Sequence, residues 1–337
     1  MIDSAVRTAR TRRRWPNLIA GWLGLACAAA AAVGVLVHFL GPVSTTVTLL
    51  ASFSPLAILG ALLAVALLVA ARWWVAAAMA AVVAAAGVSA QLPLYLGAPA
   101  SVASEAPTIT LLQANIRLGE ADADALVERV RRNQVDVLTV SELTEEAVGR
   151  LAAAGIAELL PFAHLEPKMG GSGAGIYARH PLTEPTVLPE LVHNNLRAVM
   201  TVPGAEPVAV YALHPVPPYP EPAWRWATDL ERIGAVFAAE SRPLIVGADF
   251  NSTYDHRRYR DLVSAGTTAD GELLDAAEHL GAGIVATYPA DRWHPPALAI
   301  DRILTRGATP LTFVRVDLPG SDHHGVLAEV RLEPRGD

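Results

Sequence analysis

Three long apolar runs without a charged side chain fill most of the first third of the sequence. They cover residues 18–40, 47–71 and 73–92. At about 1.5 Å of rise per residue, a helix of about 20 residues crosses the hydrocarbon core of a bilayer, which is about 30 Å thick. The sequence therefore predicts a helical membrane region of about three spans within residues 18–96.

Arginine residues flank the apolar runs and predict how the chain crosses the membrane. Five of them lie in residues 1–17, and Arg72 separates the second run from the third. Cytoplasmic flanks are rich in such residues, so three crossings would leave residues 1–17 in the cytoplasm and the C-terminal part outside the cell. With two crossings, that part would be cytoplasmic. A cleaved signal peptide is the alternative for the first run, but the length of the run and the two runs after it favour a retained helix.

Charge also divides the chain into two parts. Residues 1–100 contain six arginines and one aspartate, a net charge of +5, whereas the whole chain has a net charge of −7. The remaining residues therefore carry a net charge of −12. Because phosphate backbones attract clusters of Lys and Arg, so acidic a region is a poor non-specific binder of nucleic acid. Nucleic acid is thus an improbable partner, and the lipid bilayer is the expected one.

The pattern changes after residues 97–107, which contain Gly, Pro and Ser and which we interpret as a short linker. From residue 108 to residue 337, strand patterns alternate with amphipathic helix patterns, and Asp122 is expected to cap a helix. Strands in both halves of this region, with helices between them, predict an α/β sandwich. The predicted elements include helices at about 145–153 and 223–239 and strands at 135–140, 208–213 and 326–332.

Polar or ionisable side chains stand where nearly every predicted strand ends. In residues 244–253, an apolar run ends in Gly-Ala-Asp249-Phe-Asn251. Side chains two residues apart leave the same face of an extended strand, so Asp249 and Asn251 can converge on one bound oxygen or phosphate. A turn cap explains one such ending but not the whole set, which comprises Asn115, Glu142, His214, Asp249, Asn251, Asp301 and Ser321-Asp322-His323.

These segments, in this order, resemble the motifs of the endonuclease/exonuclease/phosphatase superfamily, whose members include deoxyribonuclease I and neutral sphingomyelinases. The resemblance covers about residues 108–332. It implies a four-layer α/β sandwich, two packed β-sheets flanked by helices, with the site at the top edge of the sheets. It also implies that Asp322 is a second carboxylate on the metal side and that Arg197 contacts the substrate phosphate. The alternatives are a turn cap for Asp322 and a simple surface charge for Arg197.

The residue types suit the hydrolysis of a phosphate ester, which requires an activated water, stabilisation of charge and help for the leaving oxygen. Glu142 is the predicted ligand of Mg²⁺, with Asn115 completing or orienting the shell of the ion. Mn²⁺ accepts similar ligands. His323 is the predicted general base, and Asp301 is its partner that fixes the tautomer of the ring.

Three further residues complete this predicted catalytic set. His214 and Asn251 are expected to donate hydrogen bonds to the non-bridging oxygens of the phosphate. Asp249 is expected to orient the attacking water or to assist the leaving group, and the sequence leaves both roles open.

The apolar spans together with this domain are similar to the actinobacterial VanJ-type membrane proteins associated with teicoplanin resistance, a similarity that includes residues 287–292. It implies a metal-dependent phosphoesterase acting on a lipid-linked phosphate or pyrophosphate at the outer face of the membrane. Attachment to the bilayer favours such a substrate, because it raises the effective concentration of lipid head groups. The alternatives are an extracytoplasmic nuclease or sphingomyelinase-like phosphodiesterase and a non-catalytic domain that binds envelope components.

Overall fold

The computed structural model describes residues 2–41, 44–98 and 106–334, and of residues 2–14 it describes only the helical backbone. The chain forms two compact units. One comprises residues 1–92 together with 255–257, and the other comprises residues 93–254 and 258–337. Most of the predicted linker, residues 99–105, lies outside the described residues.

The described part of the first unit is helical. Its helices are α1 (Ile2–Phe39), α2 (Thr45–Ala51), α3 (Ser54–Ala71) and α4 (Trp74–Gln91). Three segments are long and apolar enough to cross a membrane, with mean hydropathies of 2.1, 2.4 and 1.9: Trp15–Phe39, Ser54–Ala71 and Trp74–Leu94.

Small residues allow the helices of this unit to pack closely. A Cβ atom placed on Gly34 of α1 would lie 2.5 Å from the Cβ of Ala57 in α3. Ala61 and Ala64 of α3 are fully buried. In membranes, lipid is as apolar as the helices, so the hydrophobic effect does not drive helices together. Apolar helices associate there through the close packing that small residues allow.

The second predicted span, residues 47–71, differs from the observed helices. The chain forms the short helix α2 and begins α3 only at Ser54, with a proline in the first turn of α3. Pro55 has no backbone N–H to donate to the preceding turn, so it starts a helix more readily than it continues one. The membrane-length helix is therefore Ser54–Ala71, and α2 is a separate element.

The second unit contains two β-sheets and most of the remaining helices. The helices are α5 (Ala123–Arg132), α6 (Glu145–Ala153), α7 (Ile156–Leu159), α8 (Ala223–Ala239), α9 (Arg257–Gly266) and α10 (Ala276–His279). The strands are β1 (Thr108–Asn115), β2 (Val137–Ser141), β3 (Phe162–Glu166), β4 (Ala174–Ala178), β5 (Leu182–Val187), β6 (Leu196–Met200), β7 (Val208–Leu213), β8 (Leu244–Asp249), β9 (Leu274–Asp275), β10 (Asp301–Arg306), β11 (Ala308–Pro310), β12 (Val314–Val316) and β13 (Gly325–Leu332).

Each sheet combines one parallel pair with antiparallel neighbours. The first sheet has the order β11-β13-β1-β2-β4-β3, with β12 paired to β13, and the second has the order β5-β6-β7-β8-β10-β9. Strands β1 and β2 are parallel and are connected through α5, while β7 and β8 are parallel and are connected through α8. The carboxyl ends of the two strands in each pair therefore lie at the same edge of their sheet.

The sheets pack face to face through an apolar core that includes Leu111, Ile176, Val210, Ile245 and Ile303. Helices cover the outer faces, where α5 and α6 contribute to one cluster and α8 and α9 contribute to another. This arrangement confirms the predicted four-layer α/β sandwich. Asp122 caps α5 by accepting a hydrogen bond from the backbone N–H of Ala125, as predicted.

Candidate active site

The strand register brings two carboxylates of the second sheet, one on β8 and one on β10, to the same edge. Asp249 is the last residue of β8 and Asp301 is the first residue of β10, and the two are direct partners in the antiparallel pairing of these strands. In the other sheet, Asn115 at the end of β1 pairs with Ser141 at the end of β2, and Glu142 follows immediately. Asn115 and Glu142 come together because parallel strands end at the same edge, and Asp249 meets Asp301 because the end of one antiparallel strand lies beside the start of the next.

Asp249 lies at the centre of the cluster and is 1% exposed. Its Oδ2 atom accepts a hydrogen bond from Asn115 Nδ2 at 2.9 Å and lies 3.7 Å from His214 Nε2 and 3.8 Å from His323 Nε2. Its Oδ1 atom accepts from the backbone N–H of Asn251 at 2.9 Å. One carboxylate thus lies beside side chains from three other segments of the chain, and it also binds a backbone N–H two residues ahead of it.

His323 and Asp301 form a buried pair. His323 Nδ1 donates to Asp301 Oδ2 at 2.8 Å, and the backbone N–H of His323 donates to Ser321 Oγ at 3.0 Å. The ring of Tyr288 lies beside the imidazole, with a distance of 4.8 Å between ring centroids. The ring orientation is therefore fixed on both sides, and Nε2 is directed towards Asp249.

The protonation of His323 follows from its charged neighbours. Burial opposes a charge on the ring, but the carboxylates of Asp301 and Asp249 outweigh burial and raise the pKa of His323 to about 10. In this state His323 holds its proton at neutral pH and acts as a donor. His323 can serve as the predicted general base only if another cation offsets the charges of Asp301 and Asp249 and so lowers its pKa.

His214 is held by a glycine-rich loop that was not assigned to the site. Its Nδ1 atom lies 3.0 Å from the carbonyl oxygen of Gly171, and its backbone N–H donates to Asn195 Oδ1 at 2.7 Å. A carbonyl only accepts, so Nδ1 carries the hydrogen and Nε2 faces Asp249. The ring of His193 lies 4.8 Å from that of His214, and burial lowers the pKa of His193 to about 4, so this second ring is neutral.

The predicted metal side is built on Glu142. Its Oε1 atom accepts from Asn115 Nδ2 at 3.1 Å, and its Oε2 atom accepts from the backbone N–H of Leu118 at 2.7 Å. Asn115 Oδ1 in turn accepts from the N–H of Arg117, which favours an orienting role for Asn115 over direct ligation. Burial raises the pKa of Asp322, the charge of His323 opposes this rise, and the negative charge of Glu142 adds to it.

Two sets of side chains have the chemistry to hold a divalent ion. Asp249, Asp301 and His323 each offer a ligand atom within 4.8 Å of the others, and Asp301 Oδ1 is buried without a hydrogen-bond partner among the described residues. An ion among these three would, however, compete with the 2.8 Å bond between His323 and Asp301. Glu142 and Asp322 are the other carboxylates of this region, linked by the effect of the Glu142 charge on the pKa of Asp322, and carboxylate oxygens suit a hard cation.

Asn251 lies at the edge of the cluster in a left-handed conformation, with a φ of 50°. Its Nδ2 atom donates to the carbonyl oxygen of Pro215 at 3.1 Å. This bond uses one of the two amide hydrogens, and the other is available to a ligand.

Arg197 does not belong to this cluster, contrary to the prediction. Its guanidinium binds Glu240 Oε2 at 2.7 Å and approaches Glu184 Oε2 at 3.4 Å, and the side chain is 14% exposed. Arg197 pairs with Tyr211 across β6 and β7, and the hydroxyl of Tyr211 also bonds to Glu240, the residue that ends α8. Arg197 therefore lies on the helix-covered face of the sheet.

Three residues for which the sequence predicts no catalytic role contact site histidines in the structure: Gly171, His193 and Tyr288. None of them follows a predicted strand, so the pattern of polar strand ends did not include them. Thr287 is also fully buried beside Asp301, and its hydroxyl lies 3.4 Å from the backbone nitrogen of Asp301. In the sequence, only its position next to Tyr288 connects Thr287 with the site.

Comparisons with known proteins agree with this fold. The chain is similar in structure to a D. rerio TDP2 humanized by 14 mutations, with 18% identity over 66% of this chain and 99% of that chain and a TM-score of 0.54. An endonuclease/exonuclease/phosphatase from Bacteroides vulgatus has 16% identity over 67% and 100% of the two chains and a TM-score of 0.52. The protein of this type from Beutenbergia cavernae has 18% identity over 67% and 72% and a TM-score of 0.51.

At these identities, the structural similarities demonstrate a shared fold alone. No curated protein matches the sequence. The profile of the Endonuclease/Exonuclease/phosphatase family matches residues 112–323, which is more than half of the chain and includes Asn115, Asp249 and His323. The chain therefore belongs to the Endonuclease/Exonuclease/phosphatase family, whose members are typically hydrolases of phosphoester bonds.

Proposed function

We propose that this chain is a membrane-anchored, metal-dependent phosphoesterase that hydrolyses a lipid-linked phosphate or pyrophosphate at the outer face of the membrane. The observation that carries the proposal is the buried carboxylate of Asp249, shared by Asn115, His214 and His323. An Asp-His pair, an adjacent histidine and separate carboxylates supply the groups that hydrolysis of a phosphate ester needs. A domain that only binds has little need for this combination.

The chemistry assigns a proton-transfer role to two residues. Water adds to phosphorus and gives a proton to Asp249, the phosphorus–oxygen bond to the leaving group breaks, and His323 donates its proton to the leaving oxygen. Asp301 keeps His323 protonated and oriented, since it accepts the Nδ1 hydrogen at 2.8 Å.

His214 and Asn251 stabilise the charge that develops on the non-bridging oxygens. His214 Nε2 faces Asp249 and donates when both ring nitrogens carry hydrogen, since Nδ1 already binds the carbonyl oxygen of Gly171. Asn251 has one amide hydrogen free of its bond to Pro215. A divalent ion on Glu142 and Asp322, which we propose to be Mg²⁺ with Mn²⁺ as a substitute, supplies further charge neutralisation when bound.

The substrate class is proposed from the architecture of the chain. Three membrane-length helices precede the acidic domain, so a substrate held in the bilayer meets the site at a higher effective concentration than a dissolved polymer does. The net negative charge of the domain opposes the approach of DNA.

The experiment compares three substrates with the full chain purified in detergent. A polyprenyl diphosphate, a phospholipid and duplex DNA are incubated with Mg²⁺ or with a chelator, using the wild type and His323→Ala. We expect Mg²⁺-dependent release of phosphate from the polyprenyl diphosphate and its loss in the variant. Preferential cleavage of DNA would support a nuclease, and binding without turnover would support a non-catalytic domain. Either outcome contradicts the proposal.

A further inference from the structure

An open cleft of about 360 Å³ lies beside the catalytic cluster. This volume is within the range of about 300–1,000 Å³ that is typical of sites for small molecules. Its lining combines polar side chains with one apolar wall: Arg117, Asp291, Asp317 and His324 around residues 318–321.

Residues that line the cleft form hydrogen bonds with residues of the catalytic cluster or their neighbours. Ser321 Oγ donates to the carbonyl oxygen of Asn115 at 2.8 Å and accepts from the N–H of His323 at 3.0 Å. On the other side, the N–H of Ala290 donates to the carbonyl oxygen of Asp322 at 2.7 Å. A group attached to a phosphate in the catalytic cluster can therefore extend into the cleft.

Donors and acceptors alternate on the polar wall of the cleft. Arg117 is 3.1 Å from Asp291, and both side chains are partly exposed. His324 Nδ1 lies 3.1 Å from Asp317 Oδ1, and this nitrogen is buried. The wall thus offers the carboxylates of Asp291 and Asp317 and the guanidinium of Arg117 to a ligand.

The mixture of donors and acceptors on this wall favours a ligand with hydroxyl groups over a second phosphate. A second phosphate only accepts hydrogen bonds when it is fully ionised, and it would meet the carboxylates of Asp291 and Asp317 as well as Arg117. A hydroxyl group donates to a carboxylate and accepts from a guanidinium at the same time. The apolar wall formed by Leu318 and Pro319 suits the carbon face of a ring.

We propose that this cleft binds a polyhydroxylated group of the substrate, a sugar or another polyol esterified to the phosphate that is cleaved. This inference rests on the proposed phosphoesterase function and specifies its substrate as a lipid-linked sugar phosphate. Arg117 and Asp291 then determine specificity by binding the hydroxyl groups, and they do not touch the reacting atoms.

The test measures substrate selectivity with three synthetic substrates in mixed micelles, using the full chain with Mg²⁺. They are dodecyl glucosyl phosphate, dodecyl butyl phosphate and dodecyl diphosphate. For Asp291→Asn and Arg117→Gln, we expect the ratio of kcat/KM for the glucosyl substrate to that for the butyl substrate to fall at least about tenfold, the effect of losing one charged hydrogen bond. Arg225→Gln, which breaks an exposed Arg–Glu pair elsewhere, should leave this ratio unchanged.

The other outcomes separate this inference from the proposed function. If the wild type cleaves the diesters but the two variants keep its selectivity, the sugar inference is overturned while the phosphoesterase remains. If Arg117→Gln lowers selectivity for the diphosphate instead, the cleft is a second phosphate site, which also overturns it. If the wild type cleaves none of the three substrates, the proposed function itself fails.

Discussion

Two carboxylates together determine the protonation state of His323. Asp301 orients the ring through a 2.8 Å hydrogen bond, and together with Asp249 it raises the pKa of His323 to about 10. An imidazole that keeps its proton at neutral pH cannot remove one from water, but it can donate one to a leaving oxygen. The role of His323 therefore depends on charge balance as much as on position.

Asp301→Asn tests this dependence at the level of catalysis. Asparagine keeps the size of the side chain but loses its charge, so the pKa of His323 falls and the ring loses its fixed tautomer. We expect kcat to fall about 10³- to 10⁴-fold, by analogy with the aspartate of a catalytic triad. We also expect the alkaline limb of the pH–rate profile to move to lower pH, which a merely structural role would not cause.

His164→Asn is the matched control for this experiment. His164 lies on β3, and its Nε2 atom contacts the carbonyl oxygen of Thr186 on β5 rather than a residue of the cluster. Its activity and its pH–rate profile should match those of the wild type. An Asp301→Asn enzyme with an unchanged alkaline limb would exclude His323 as the group that titrates there.

The same pKa shift predicts how stability depends on pH. A histidine whose folded pKa is raised from 6.5 to about 10 stabilises the fold fully below about pH 6.5, and this stabilisation is lost as the pH rises towards 10. With a chelator present, the melting temperature of the wild type should exceed that of His323→Asn most at pH 6. The gap should narrow at pH 8 and again at pH 10. A gap that widens over this range would contradict the assigned direction of the shift.

At the scale of elements, the two sheets approach each other closely where β8 packs against β2. A Cβ atom on Gly247 would lie 2.0 Å from Thr139 Oγ1, and this hydroxyl donates to Gln113 Oε1 at 2.6 Å. The glycine lies two residues before Asp249 on the strand that carries it. Its lack of a side chain therefore sets the separation of the sheets beneath the site.

Gly247→Ala should destabilise the protein by about 1–3 kcal/mol, because both strands are buried and neither can move without disturbing the core. Gly149→Ala is the matched control, since Gly149 lies in α6 and a Cβ atom there would meet nothing within 4 Å. That change should be neutral or stabilising by up to about 1 kcal/mol. Chemical denaturation followed by tryptophan fluorescence measures both, and equal effects would show that contact with Thr139 is unimportant.

The elements that the sequence predicts best are those with strong local signals. Helices α6 and α8 and strand β7 match their predicted bounds, because their apolar periodicity is clear and, for α6, Thr144 caps the first turn. Strands β3 and β5 were not predicted. Their residues are mostly exposed or only partly buried, so they lack the alternation that marks a half-buried strand.

The same reasoning explains which site residues the sequence could identify. Residues that directly end a buried strand, such as Asp249 and Glu142, can be predicted because the edge of the sheet is common to several strands. Arg197 was misplaced because its position on a strand does not reveal which face carries an ion-pair partner. Gly171 acts through its backbone carbonyl, and such a contact leaves no trace in the type of side chain.

At the scale of the whole molecule, the chain joins a basic apolar region to an acidic domain. Residues 15–94 contain three segments of membrane length, while the family profile occupies residues 112–323. An odd number of crossings places the two ends of a chain on opposite sides of a membrane. Because the arginines near the N-terminus favour the cytoplasm, the family domain is expected outside the cell.

Fusions after Asp337 test this topology, since alkaline phosphatase is active only outside the cytoplasm and green fluorescent protein exported in an unfolded state does not fluoresce. We expect the phosphatase fusion to be active and the fluorescent fusion to be dark. Deleting residues 74–94 leaves two crossings and should reverse both signals, which makes it the matched control. A fluorescent fusion of the full chain would place the domain in the cytoplasm and would remove the outer-face substrate from the proposed function, although the hydrolytic chemistry could still operate on a lipid of the inner leaflet.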